Sequence, residues 1–474
     1  MDSKVKELLS NSLLFTIGQL GSKILVFLMV PFYTYVLTPE EYGISGVVQT
    51  TATLLAPLLV LKIQDAALRY CFRADVSKQN VFTIGVIVVT VGGLASIAMT
   101  WLLRLIPMLH DLGYYMYYIP FMLFTNSMSL LLSYFARGID KVKESTISGL
   151  IVTFVIVCSN IIFLLFLKIG VAGYLLSFII ADTVASIYLY KSCKLREYFK
   201  REFNISLAKE MVLFSIPLIP NSIGWWLMGS FNNYFILSAL GTTAVGLYTA
   251  ALRIPSILTA LSDIFSQAWL LSALKNYETE EGKAFIMAVH RKFFSVLCVL
   301  TSLFVLFSYP IAKILLSGEF SNCWKIIPLL FVSVFLGALV SFYGAIFSAE
   351  NKTSIHFTTT LIGGIFSVSI VLLFLKSFGL MVVSIATVSG YFIIWFLRKE
   401  YVKRYIDIGM STAEAILRII LLVGIAVLVI YELYVYAGIV CLVLTLLNGK
   451  QIMLVARYLI PEATRWLGAK INKR

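Results

Sequence analysis

The stretch NSLLFTIGQLGSKILVFLMVPFYTYVLTPEEYG, residues 11–43, sets the class of the whole chain. Its apolar run, 12–37, is about 25 residues long, enough to cross a hydrocarbon core roughly 30 Å thick as one helix. A secretory signal would end on small residues at a cleavage site, whereas this run continues through Lys23 into Pro31, so it reads as a first membrane-spanning helix and not as a leader. Runs of the same kind recur near 42–64, 81–104, 114–136, 145–167, 170–190, 209–239, 244–271, 293–316, 324–348, 355–375, 378–397, 413–431 and 434–456, which makes about fourteen spans. Of the 474 residues 60% are hydrophobic and only 13% charged, against about 25% charged in an ordinary soluble domain. A mean hydropathy of +0.92 agrees. Too few charges remain to clothe a water-facing surface, and the expectation is an all-α integral membrane protein.

The formal net charge of +14 raises the question of a nucleic-acid partner. The lysines and arginines sit in short patches between apolar spans, with no RNA-binding motif, zinc-ligand spacing or long basic face, so no nucleic acid is expected to bind. If the N-terminus is cytoplasmic, the even-numbered connections and the tail collect about 29 of the 38 basic residues, and the opposite side about five, Arg104, Lys168, Lys313, Lys325 and Lys376. That is a strong positive-inside bias, and it assigns both termini to the cytoplasm. A miscounted helix would scramble the alternation from that point on, and it does not scramble. Outer connections are short, the first of them the acidic TPEEYG at 38–43, which leaves no room for a catalytic domain. Cys71, Cys158, Cys193, Cys298, Cys323 and Cys441 are scattered singly and read as core filler. His110, His290 and His356 have no ligand spacing, and neither metal nor cofactor is expected.

The longest polar stretch, YKSCKLREYFKREFNISLAKE at 190–210, reads as a cytoplasmic linker. On either side the chain echoes itself: Leu13-Leu14-Phe15-Thr16-Ile17 aligns with Val212-Leu213-Phe214-Ser215-Ile216, and LTPEEYG at 37–43 with LGTTAVG at 240–246. Two six-helix halves that both enter from the cytoplasm form a parallel repeat about an axis along the membrane normal; chance similarity of two apolar sequences is the alternative. The expected organisation is an N-lobe over 1–190, a linker over 191–208, a C-lobe over 209–405, and two further helices with a basic tail over 406–474.

The informative residues are polar ones in the wrong place. A cation near the bilayer centre costs about 2.5–3.5 kcal/mol on insertion scales, so it faces protein or a water-filled cavity. Lys23 lies roughly 16 Å into the first span and Arg253 roughly 14 Å into the eighth. Snorkelling or a buried ion pair explains either one; the alternative is that each lacks an anion which a phosphate-bearing substrate supplies. Lys62, Asp65 and Arg69 follow at i, i+3 spacing and i, i+4 spacing on one helix face. They read as an interfacial ladder that caps the second span, or as a gate closing against Asp263. Gln19, Asn221, Asn232, Asn233 and Gln267 place amides on spans one, seven and eight, for interhelical hydrogen bonds or for sugar hydroxyls. Asp182, deep in the sixth span, is the candidate for ion coupling, or a structural bond to a neighbouring helix. Prolines 31, 57, 217, 220 and 255 should bend or interrupt spans one, two, seven and eight. Trp225, Trp226 and Trp269 read as packing or interface anchors.

The opening stretch at 11–43, followed by QDAALRYCF at 64–72, resembles the start of bacterial polysaccharide and O-antigen flippases, within the superfamily that also holds multidrug and toxin extrusion antiporters and lipid II flippases. The resemblance is most specific over 10–75 and is carried further by helix count, linker and repeat. It implies two six-helix lobes in a V around a central cavity lined by spans one, two, seven and eight, working by alternating access in the bacterial inner membrane. The implied substrate is an undecaprenyl-pyrophosphate-linked oligosaccharide delivered from the cytoplasmic to the outer leaflet, with a polysaccharide polymerase, glycosyltransferases and membrane lipid as partners. By that resemblance Lys23 and Arg253 hold the pyrophosphate, and the amides nearby the sugars. Drug antiporters of the superfamily carry carboxylates inside the lobes, whereas this first span offers a lysine. A cation-coupled drug exporter is the runner-up, with Asp182 as its deep carboxylate. A membrane enzyme acting on lipid-linked sugars would need a long loop carrying acids or histidines beside the membrane, which is not found.

Overall fold

The computed structural model describes residues 21, 23–199, 204–276, 279–350, 352–406 and 408–471. Among them the regular elements are all helical. Thirteen helical stretches are long and apolar enough to cross a membrane by length and composition, although one of them, Asn232–Arg253, is broken at Gly241; the shorter apolar helix Lys23–Val36 is the described part of the first expected span. The chain is an all-α, multi-pass membrane protein. It packs as two compact units: one runs to Ala250 and includes Leu316–Phe320, and the other holds Ala251–Leu315 and continues from Ser321. This division does not fall at the 191–208 linker, because the seventh span and the first turns of the eighth pack with the N-terminal unit.

The first unit contains α1 (Lys23–Val36), α2 (Pro39–Leu59), α3 (Ile63–Cys71), α4 (Lys78–Leu103), α5 (Tyr118–Gly138), α6 (Val142–Asn160), α7 (Gly170–Ser192), α8 (Ile205–Ser215), α9 (Leu218–Ser230) and most of α10 (Asn232–Arg253). The acidic 38–43 segment is the first turn of α2 and not a loop. Thr38 Oγ1 accepts from the Glu41 amide at 3.2 Å, and Glu41 Oε2 accepts from the Thr38 amide at 2.9 Å. This capping box satisfies two end donors, and Pro39 fits the first helical position because its missing N–H is not needed there.

The other end of α2 corrects an expectation. The helix stops at Leu59, two residues after Pro57, and both Leu61 and Lys62 have φ near +55°. That left-handed pair turns the chain into α3, so Lys62 stands outside the helix that carries Asp65 and Arg69. The expected ladder on one continuous helical face is broken there. Span seven is also interrupted: α8 ends at Ser215, Pro217 precedes α9, and α10 starts at Asn232. Gly241, at φ +81°, makes the turn between spans seven and eight, a conformation that costs glycine little. Pro255, with no amide hydrogen to donate, separates α10 from α11.

The second unit holds α11 (Ser256–Asn276), α12 (Glu280–Leu306), α13 (Ser308–Leu315), α14 (Ile327–Ala349), α15 (Thr353–Phe378), α16 (Leu380–Val402), α17 (Thr412–Ile430) and α18 (Tyr434–Ile471). Its centre is α14, whose side chains are buried almost all round. Trp269 packs there as an anchor and donates Nε1 to the Phe342 carbonyl at 3.0 Å. Arg398 and Lys399, counted as connection charges in the sequence, are 4% and 0% exposed inside the last turns of α16. Arg398 donates to the Val340 carbonyl at 2.8 Å and to Thr359 and Thr360 hydroxyls at 3.1 Å, and Lys399 Nζ to the Ser411 carbonyl at 3.1 Å. Carbonyl and hydroxyl oxygens replace the water these cations lose. The six cysteines are free thiols, five of them buried and Cys158 half-buried.

Candidate transport site

The sequence repeat and the packing meet where α2 crosses α10. A Cβ added to Gly43 would lie 1.9 Å from the Thr242 carbonyl oxygen, and one added to Gly246 would lie 1.8 Å from the Pro39 carbonyl oxygen. In the alignment of LTPEEYG with LGTTAVG, Gly43 pairs with Gly246 and Pro39 with Thr242. Each glycine therefore sits under a backbone carbonyl of the other segment, and the contact is reciprocal. Only hydrogen in place of a side chain lets the two backbones come this close. Around the crossing, the Ser317 amide donates to Thr34 Oγ1 at 3.2 Å, and the Phe320 ring meets Tyr42 edge-on at 5.9 Å.

Further along α2 the contact becomes polar. Asn233 Nδ2 donates to Thr50 Oγ1 at 3.0 Å, Trp226 Nε1 to the Thr50 carbonyl at 3.1 Å, and the Thr51 and Tyr234 hydroxyls lie 2.8 Å apart. Asn232 Nδ2 donates to the Tyr248 hydroxyl at 3.4 Å. Trp226, read as an anchor, is here a hydrogen-bond donor into the α2 backbone. Thr50 and Thr51 were not singled out in the sequence; the available signal was a hydroxyl-rich QTTAT run at 49–53 inside an otherwise apolar span.

Where α2 gives way to α3 the contacts are charged and aromatic. Arg73 pairs with Glu210 at 3.2 Å and with Asp75, and the Arg69 guanidinium lies 4.3 Å over the Phe214 ring. Ser215 Oγ donates to the Lys62 carbonyl at 3.4 Å, and Lys62 pairs with Asp65 at 3.3 Å. Arg69 thus stacks on α8 instead of extending the Lys62–Asp65 pair.

The remaining candidates fall as follows. Lys23 is exposed and Arg253, the last residue of α10, is half-buried. Each takes part in an interaction and is not a free charge, and the same holds for Asp263. Asn232 and Asn233 are buried within the α2–α10 patch; Gln267 is exposed on α11. Gln19 lies outside the described residues, as do the side chains of Asn221 and Trp225. Asp182, 8% exposed on α7, accepts from Asn126 Nδ2 on α5 at 3.2 Å and bonds the Ser129 hydroxyl, so neutral donors hold it. Among the described residues no group of acids, histidines and cysteines is arranged to hold a metal.

Comparison with known proteins follows this geometry. Over residues 8–270 the chain matches the model of a family described as "Polysaccharide biosynthesis protein". A curated relative, the "Uncharacterized membrane protein MJ1068" of Methanocaldococcus jannaschii, is 26% identical over 51% of this chain and 49% of its own, so the chain spans about half the length of that relative. Among solved structures, a "Lipid II flippase MurJ, inward closed conformation" superposes with a TM-score of 0.70 at 14% identity, covering 94% of this chain and all of that one. An inward-facing multidrug resistance MATE family transporter of the MOP superfamily superposes with a TM-score of 0.62 at 15% identity, covering 82% of this chain and 98% of its own. At such identities the two structures report the fold alone. The chain shares its fold with these two structures, and by sequence it belongs to the polysaccharide biosynthesis protein family.

Proposed function

We propose that the chain is a flippase that carries an undecaprenyl-pyrophosphate-linked oligosaccharide from the cytoplasmic to the outer leaflet by alternating access, for assembly of a surface polysaccharide such as O-antigen, capsule or exopolysaccharide. The observation that carries the reading is the reciprocal Gly43–Gly246 crossing. Two copies of one repeat that meet only through hydrogen-bearing backbone at one end, and through polar side chains further in, are what an inter-repeat path needs if it closes at one end and opens at the other. Family membership supplies the context of polysaccharide synthesis. The positive-inside pattern supports a topology with both termini in the cytoplasm and this end of α2 on the outer side, which in this reading is that of a bacterial inner membrane.

In this reading the two six-helix lobes are spans one to six and seven to twelve, and spans thirteen and fourteen are additions. Lys23 and Arg253 hold the pyrophosphate when the lipid-linked glycan is bound, exchanging their present partners for phosphate oxygens. Gln19, Asn232, Asn233 and Gln267 meet the sugars. Lys62, Asp65, Arg69 and Asp263 form the inner gate, and Asp182, held by neutral donors, takes up the coupling ion. Catalysis is no part of the cycle; polymerase and glycosyltransferases act before and after it.

The test is a strain lacking the gene, complemented with variants. Lys23→Ala and Arg253→Ala abolish surface glycan while membrane protein levels stay within about twofold of wild type, and Lys23→Arg and Arg253→Lys retain part of it, because the phosphate contact needs charge before geometry. Normal export in either alanine variant removes that residue from the site. Unchanged surface glycan in the deletion strain, together with a gain of drug resistance on expression, would replace the flippase by a drug exporter.

A further inference from the structure

Three buried polar atoms on the α2–α10 patch have no hydrogen-bond partner among the described residues: Gln49 Nε2, Asn233 Oδ1 and Thr249 Oγ1. Helix register brings them together. Gly46 stands next to Thr249, whose Oγ1 would be 3.1 Å from a Cβ at that glycine, and Thr50 is bonded to Asn233. Gly46, Gln49 and Thr50 share one face of α2 at i, i+3 and i+4, so Gln49 sits between the two contact points. A partnerless buried polar atom destabilises the fold that holds it, and three on one patch call for a ligand.

We propose that Gln49, Asn233 and Thr249 form a subsite for a neutral, hydroxyl-bearing group, namely a sugar unit of the transported glycan. The inference rests on the flippase reading and names what this part of the path binds. The chemistry selects against the alternatives. A phosphate accepts only, and Asn233 Oδ1 would face it with an acceptor; an ammonium donates only, and Gln49 Nε2 would face it with a donor. Asn233 Nδ2 is committed to Thr50 Oγ1, which leaves Oδ1 as a free acceptor beside the free Gln49 donor, and a sugar hydroxyl or acetamido group suits both. Gln49, Thr50, Thr51, Asn232, Asn233, Tyr234, Tyr248 and Thr249 include no acid and no basic group. The half-buried Trp226 indole is fixed by its Nε1 bond to the Thr50 carbonyl and packs beside the Phe231 and Tyr234 rings, which adds aromatic surface to the patch. All three atoms are shut off from solvent in this structure, so a sugar reaches them when α2 and α10 part.

The experiment measures thermal unfolding of the full chain in lipid nanodiscs, with neutral probes (galactose, N-acetylglucosamine and chitobiose) and, separately, inorganic pyrophosphate. At least one neutral sugar raises the wild-type Tm. Gln49→Leu and Thr249→Val each weaken that sugar's apparent affinity by about tenfold, the worth of one hydrogen bond, leave the pyrophosphate response unchanged, and have a ligand-free Tm equal to or above wild type, since an unpaired polar atom is gone. Thr249→Ser keeps the sugar response. A fall in ligand-free Tm in both variants makes these groups structural and overturns the proposal, as does a sugar response that neither variant changes, or the absence of any sugar response in wild type. If sugar binding is lost as expected but the deletion strain exports glycan normally, the subsite stands and the flippase reading falls. If the deletion strain fails to export and no sugar binds, the reverse holds.

Discussion

The two ends of α2 are held in opposite ways. Its N-terminal end meets α10 backbone to backbone, through Gly43 and Gly246, with no charge in the contact. Where α2 passes into α3, the chain meets α8 through the exposed Arg73–Glu210 pair, the Arg69–Phe214 stack and the buried Ser215 hydroxyl. Exposed ion pairs are weak and screened by salt, whereas a close-packed backbone crossing is lost as soon as a side chain intrudes. The first end is therefore all-or-none, and the second yields in small steps.

That contrast can be broken hardest at the crossing. Gly246→Leu, or Gly43→Leu, drives carbons into the Pro39 or Thr242 carbonyl and is expected to cost at least the roughly 1–3 kcal/mol of an overpacked core. Hydrogen–deuterium exchange should rise over 39–46 and 242–249 in either variant; unchanged exchange would mean that the helices are not held there. A middle-sized effect is expected from Thr38→Ala, which removes the cap of α2 and should cost about 1 kcal/mol, read as a lower Tm in nanodiscs at any salt concentration. The smallest is expected from Arg73→Ala, whose effect on Tm should be near the limit of detection and vanish in high salt. That variant also carries a pH signature. Arg73 holds the exposed Asp75 carboxyl below its ordinary value, so the stabilisation is present at neutral pH and is lost as pH falls through the lowered folded value. Wild type and variant should differ at pH 7 and converge in acid. A difference that grows on acidification would reverse the assignment.

How far the sequence reaches can be judged residue by residue. Hydropathy and the alternation of charge gave the spans because both report the bilayer, which acts on every helix in the same way. The breaks at Pro217 and Pro255 were legible from a missing amide hydrogen. The cap of α2 was legible and went unread, since Thr38 followed by Glu41 has the spacing of a capping box. The turn at Leu61 and Lys62 was not legible, because neither residue type favours positive φ and tertiary packing imposes it. For the same reason the buried Arg398 and Lys399 looked like loop charges: their partners are carbonyl oxygens, which leave no mark in a sequence. The echo of 37–43 in 240–246 contains Gly43 and Gly246 but does not mark them, because a close backbone approach is decided by packing and not by residue type.

The reciprocity of that meeting constrains how the chain can change over evolutionary time. Each glycine is needed for the sake of the other's neighbour, so neither helix can accept a side chain there while the opposite backbone stays where it is. The two positions are therefore bound to vary in step, however freely the helices around them diverge.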